Sequence, residues 1–133
     1  NVSGTRWEPT VLVNDNATKV FAYSFVLPPA FRSFSGLNSL WAFRVGYLVT
    51  GSCSVQATAV HDGAGTKTTI APTAGTSASW AYHTVAGSAL GAGAPEAGEP
   101  LHVEVTVTGT GTCRLSTVAK CRFFPRVGFG PHY

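Results

Sequence analysis

Residues 101–108 read Leu-His-Val-Glu-Val-Thr-Val-Thr, residues 109–112 read Gly-Thr-Gly-Thr, and residues 113–123 read Cys-Arg-Leu-Ser-Thr-Val-Ala-Lys-Cys-Arg-Phe. Successive side chains of an extended strand point to opposite faces. Leu101, Val103, Val105 and Val107 therefore share one face, and His102, Glu104, Thr106 and Thr108 share the other. Such alternation marks a strand half-buried against a core. Beyond the glycine-rich turn the pattern resumes, with Cys113, Leu115, Thr117, Ala119, Cys121 and Phe123 inward and Arg114, Ser116, Lys120 and Arg122 outward. Glycine supplies the positive φ angles of tight connections, so the two runs are expected to pair as a hairpin.

Period two extends over most of the chain. Lys19 to Leu27 places Phe21, Tyr23, Phe25 and Leu27 together before Pro28-Pro29 stops the ladder. Ser39 to Val49 groups Trp41, Phe43, Val45, Tyr47 and Val49, and Cys53 to His61 groups Cys53, Val55, Ala57 and Ala59. These two runs are expected to form a second hairpin, with Trp41 in the core. Weaker strands are expected at Trp7 to Val13, Thr66 to Ile70 and Ser79 to Val85. Helix signals are confined to a single turn at Pro29 to Ser35, and Ala86 to Pro100 reads as a long surface loop rich in turn formers. About eight short strands with Gly- and Pro-rich connections predict an all-β fold, an antiparallel β-sandwich of the jelly-roll kind. No repeat or composition break divides the chain, so residues 1–133 read as a single domain.

Only 11% of the residues are charged, with nine Lys+Arg against six Asp+Glu and a formal net charge of +3. Soluble domains usually carry about 25% charged residues, so part of the uncharged surface is expected to be covered in an assembly. The apolar and aromatic content excludes disorder, and no apolar run has the length of a membrane-spanning helix. The chain begins at Asn1 and contains no Met, which reads as a processed or partial product, and its start lacks the pattern of a secretion signal. Cys53, Cys113 and Cys121 permit at most one internal disulfide; reduced, buried thiols are the expectation. With no Cys-x-x-Cys pair, a structural metal is not expected either.

Groups able to perform chemistry are scattered. His61-Asp62 is the one neighbouring His/carboxylate pair, and adjacent strand residues diverge. Glu96 and Glu99 fall in the loop, where a fixed carboxylate separation is hard to hold. No nucleophile elbow, zinc-binding helix or phosphate loop is present. The expectation is a protein that is not an enzyme and uses no cofactor. Trp80 and Tyr82 share a face of their strand and are candidates for a stacking platform or a subunit contact. Arg114, Lys120 and Arg122, followed by Arg126, make the one organised charge pattern and are candidates for a contact with a partner or shell. No arginine-rich arm or basic groove with interleaved aromatics accompanies them, so nucleic acid is not expected as a partner. Asn1-Val2-Ser3 and Asn16-Ala17-Thr18 match the glycosylation pattern, as Ser/Thr-rich chains often do by chance.

The order of the pieces carries a resemblance. Tyr-Ser-Phe-Val-Leu-Pro-Pro (residues 23–29) precedes the aromatic strand Leu-Trp-Ala-Phe-Arg-Val-Gly-Tyr (40–47). Gly-Glu-Pro-Leu-His-Val-Glu-Val-Thr-Val (98–107) then leads into the closing run Leu-Ser-Thr-Val-Ala-Lys-Cys-Arg-Phe-Phe-Pro-Arg (115–126). Together these resemble the small trimeric jelly-roll virion proteins of tailed bacteriophages, of the capsid-decoration or fibre-head type. The resemblance spans most of residues 19–126 and consists of strand and turn order. It implies a structural protein on the capsid surface, a homotrimer contacting the major capsid protein or other virion proteins, away from any membrane. Two alternatives follow from the residues. One is a glycan- or receptor-binding fibre domain using Trp80 and Tyr82. The other is a small-virus coat protein contacting its genome through Arg114, Lys120 and Arg122.

Overall fold

The computed structural model describes residues 9–13, 18–63, 65–91 and 95–125. Its strands are β1 (Thr10–Val13), β2 (Lys19–Val26), β3 (Phe31–Ser33), β4 (Trp41–Gly51), β5 (Ser54–His61), β6 (Lys67–Thr69), β7 (Ala81–Ala86), β8 (Pro100–Thr108), β9 (Gly111–Cys121) and β10 (Phe124–Pro125). A 3-10 turn covers Ser35–Leu37 and a short helix, α1, covers Gly87–Leu90. Among the described residues no helix is long and apolar enough to cross a membrane.

Apart from the short β3–β10 pair, the strands nest. β1 pairs with β9, β2 with β8, β4 with β7 and β5 with β6, all antiparallel. Rolling up one long hairpin produces this nesting, and the roll is closed by β4 against β9 and β5 against β8. Two four-stranded sheets result, in the orders β1-β9-β4-β7 and β2-β8-β5-β6. This is the jelly-roll order, so the expected fold class holds.

The two expected hairpins do not form. β4 and β5 lie in different sheets, as do β8 and β9. The connections at Gly51-Ser52 and Gly109-Thr110 are corners that carry the chain from one sheet to the facing one. A corner and a hairpin share the same turn residues and the same alternation, so the sequence does not separate them. The two corners lie side by side: Gly51 is the register partner of Gly111, and Ser54 that of Thr108. They pack so closely that a Cβ on Gly109 would stand 2.3 Å from the Ser52 carbonyl oxygen, and one on Gly111 2.2 Å from that of Thr50. Both glycines also have positive φ.

That proximity explains a second correction. Cys53 and Cys113, expected as reduced thiols, form a disulfide between the sheets, with Cα atoms 6.1 Å apart and a sequence separation of 60. Cys121 keeps a free thiol, and burial pushes its pKa up to about 12.

Inner faces of the sheets make one core. Phe43, Val45, Tyr47 and Val49 of β4 and Cys113 and Leu115 of β9 meet Val55 and Ala57 of β5 and the four inward residues of β8. Tyr23 and Phe25 meet Phe43 edge-on, with centroids 5.9 and 6.1 Å apart. Phe31 and Phe34 close one end, their rings 4.9 Å apart. The helical turn expected at Pro29–Ser35 begins only at Ser35, because Phe31–Ser33 pairs with β10. The segment after Ala86 is not wholly a surface loop either. α1 buries Leu90 in the core and packs on Phe34 so tightly that a Cβ at Gly87 would lie 2.2 Å from the Phe34 carbonyl oxygen.

β9 departs from strict alternation. Leu115 stands opposite Tyr47 and Ala119 opposite Val45, so four steps on β9 match two on β4. The bulge buries Ser116, whose hydroxyl bonds the Val118 carbonyl and amide, and turns Thr117 and Val118 outward. Expected positions of Ser116 and Thr117 are thus exchanged.

Closing a loop of this length restricts the unfolded chain by about 4 kcal/mol. Reduction, or Cys113→Ser, is expected to lower the unfolding free energy by up to that amount, read by urea denaturation with and without reductant; coincident curves would contradict the cross-sheet bridge.

Candidate functional site

The most organised group of functional side chains lies on the outer face of β7, β4 and β9. It begins with a bulge. Trp41 pairs with Ala86 and Phe43 with Val85, so β4 carries one extra residue there. Ala42 and Phe43 are both fully buried, and Trp41 is displaced from the core position expected for it. Its ring instead packs beneath two cations: the Arg44 guanidinium carbon is 4.6 Å from the ring centroid and that of Arg122 is 4.0 Å. Arg44 also lies 4.2 Å over the ring of Tyr82. Tyr82 stands opposite Gly46, whose missing side chain leaves room for the ring to lean toward Arg44.

The result is a ladder of planar groups, Tyr82–Arg44–Trp41–Arg122, crossing three neighbouring strands. Arg122 is fixed at its end, its Nε–H donating to the Trp41 carbonyl at 2.5 Å and its backbone N–H to that of Ala42 at 2.7 Å. Lys120 is the register partner of Arg44. Like charges directly opposite one another destabilise a sheet; the aromatic faces offset this by about 0.5–1 kcal/mol per cation–π contact. Arg44 Nε is buried without a hydrogen-bond partner, so the guanidinium is held by its rings on that side. Among the described residues no carboxylate pairs with Arg44, Lys120 or Arg122. Along the edge of β7 a cleft of about 360 Å³ adjoins the ladder, lined by Trp41, Tyr82, Ser39, Thr84, Pro72 and Thr73.

The structure brings Lys120 and Arg122 together with Tyr82, three of the residues singled out in the sequence. Arg114 stands apart, opposite Leu48 and Leu12. Leu48 is four residues from Arg44, about 13 Å along the strand. Trp80 lies at a bend before β7 and does not line the cleft. A bare Trp80–Tyr82 platform is not what the sheet presents, because Arg44 covers one face of Tyr82. Sequence reasoning missed Arg44 and Trp41. Arg44 was visible as the lone charge between Leu40 and Val49; the bulge that turns Trp41 outward leaves no mark in the sequence. Trp7, Arg126, Asn1 and Asn16 lie outside the described residues.

The opposite sheet carries a second polar group. Glu104 accepts from His61 Nε2 at 2.5 Å and lies 3.8 Å from Lys67 Nζ. Ser24 Oγ and His102 Nδ1 are 2.7 Å apart on the same open face. Among the described residues no group of three His, Cys, Asp or Glu is placed to hold a metal. His83 is different, because its ring is buried between the sheets. A register shift at Thr58 frees the Ala57 amide from the ladder, and that N–H donates to His83 Nε2 at 2.8 Å. Nε2 is therefore unprotonated, and desolvation by burial lowers the pKa from its usual value of 6.5.

No protein-family profile, curated protein or solved structure matches this chain.

A buried neutral histidine makes stability depend on pH with a definite sign. Above pH 6.5 neither the folded nor the unfolded chain protonates this ring; below it the unfolded chain binds the proton first, and folding weakens. His83→Gln retains an acceptor without titrating. Relative to that variant, the natural chain is expected to lose up to about 1.4 kcal/mol per pH unit between pH 6.5 and the lowered pKa. Urea unfolding of both proteins across pH 5–7.5 reads the difference, and parallel pH profiles would refute it.

Proposed function

We propose that this chain is a structural subunit of a virus particle, a capsid decoration or minor capsid protein that stabilises a shell through contacts between its copies and their neighbours. Jelly rolls host many functions, so the virion assignment draws on the resemblance in strand and turn order. The observation that carries the assembly reading is the side of the sandwich formed by β1 and β2.

Each of these strands is the edge of its sheet. The two edges stack, since Tyr23 of β2 donates its hydroxyl to the Ser116 carbonyl of β9, the neighbour of β1. Outward positions on β2 are Val20, Ala22, Ser24 and Val26, and on β1 Leu12. Val26 is 74% exposed, Val20 58% and Leu12 47%. An edge strand of eight residues with apolar outward side chains and no charge beyond Lys19 invites pairing with another chain. Subunit contacts are likewise depleted in charge at their centres. A closed trimer would cover this side on every copy, and closure about the threefold axis would end growth through it. Binding the assembled shell more tightly than free subunits would stabilise it by mass action.

Light scattering of the purified chain is expected to give three times the chain mass of 13.8 kDa. Val20→Asp together with Val26→Asp is expected to yield monomers with an unchanged circular dichroism spectrum. A natural chain that stays monomeric at every concentration and binds no shell would overturn the reading.

A further inference from the structure

We propose that the outer face of β7, β4 and β9 binds single-stranded nucleic acid, with phosphates on Arg44, Lys120 and Arg122 and a base in the cleft beside Trp41 and Tyr82. This goes beyond the assembly reading and does not rest on it.

Among the described residues, carboxylates are kept off one of the two sheets. Four cations, Arg44, Arg114, Lys120 and Arg122, project from the outer face of one sheet. The four described carboxylates, Asp62, Glu96, Glu99 and Glu104, all lie elsewhere. Such a face attracts a polyanion. The opposite sheet face of a second copy does not fit that role, because the one carboxylate on its strands, Glu104, is already taken by His61 and Lys67.

Geometry selects the kind of polyanion. The guanidinium carbons of Arg44 and Arg122 lie 4.0–4.6 Å over aromatic rings, and Arg122 is further tied to the Trp41 carbonyl. Held in this way, a guanidinium loses less side-chain freedom when it binds an anion than a free arginine does. Lys120, opposite Arg44, is exposed and adds a point charge from the neighbouring strand, whose backbone lies about 5 Å away. Stacking aromatics among phosphate-binding cations are the means by which proteins hold single strands without reading sequence. The adjoining cleft supplies aromatic walls with Ser39, Thr73 and Thr84 hydroxyls beside them, suited to the flat face and polar rim of a base. No helix or ribbon rises from the described sheet face to enter a duplex groove, which favours a single strand.

The test uses the intact chain and a fluorescent oligouridylate of about ten nucleotides, within the usual range of single-strand sites. Three phosphate contacts predict that the logarithm of the binding constant falls with the logarithm of salt at a slope of about −2. Lys120→Ala is expected to weaken binding roughly fivefold at low salt and to make the slope shallower by about 0.7. Tyr82→Ala is expected to weaken binding with the slope unchanged, and Lys67→Ala, on the other sheet, to change neither. Circular dichroism confirms folding of each variant. No binding at about 50 mM salt would overturn the proposal. So would equal weakening by Lys67→Ala and Lys120→Ala, which would mean diffuse attraction. Polyglutamate competing as well as unlabelled oligouridylate would do the same, by assigning the face to an acidic protein.

Discussion

Everything in this molecule depends on burying the inner faces of two sheets against each other. Phe43, Val45, Tyr47 and Val49 on one side and the alternate residues of β5 and β8 on the other form a single core. Because side chains alternate, each strand that gives one row to this core must give the next row to the outside. The outer rows are consequently fixed in position by the inner ones. In a chain that is only 11% charged, what those rows contain is the functional content of the fold. One sheet shows a cationic, aromatic ladder, the other Thr, Ser and His around Glu104 and Lys67, and its edge strand β2 an exposed apolar row.

Bulges decide where alternation is broken, and both breaks in the β1-β9-β4-β7 sheet have consequences. The extra residue near Trp41 moves a large ring from core to surface and gives Arg44 and Arg122 a face to lie on. The bulge at residues 116–118 buries Ser116, whose carbonyl receives the Tyr23 hydroxyl, and so ties the two edge strands together. A third irregularity, in β5, frees the amide that His83 accepts inside the core. Each irregularity leaves a ladder position open, and in each case a neighbouring side chain makes use of it.

These breaks also mark the limit of what was legible in the sequence. The faces of β2 and β8 were readable residue by residue, because uninterrupted alternation has one solution when one face is buried. The all-β jelly-roll class followed from such runs. The pairing of neighbours did not: Gly51 and Gly109 sit in corners, while their sequence context fits hairpins equally well. The Cys53–Cys113 bridge was hidden for the same reason, since it depends on two corners lying side by side. At the candidate site, Lys120, Arg122 and Tyr82 were legible as outward residues on their strands. Trp41 was not, because its exposure comes from a bulge, and Arg44 gains meaning only once three strands are placed next to one another.

The proposed role as a particle subunit acting through its outer surfaces is tested by a high-resolution electron-microscopy reconstruction of the chain within its assembly. The reading predicts Val20 and Val26 buried against a neighbouring copy, with the Arg44–Trp41–Arg122 face turned away from that contact. A reconstruction in which β1 and β2 face solvent, while the cationic ladder packs against another copy, would contradict it.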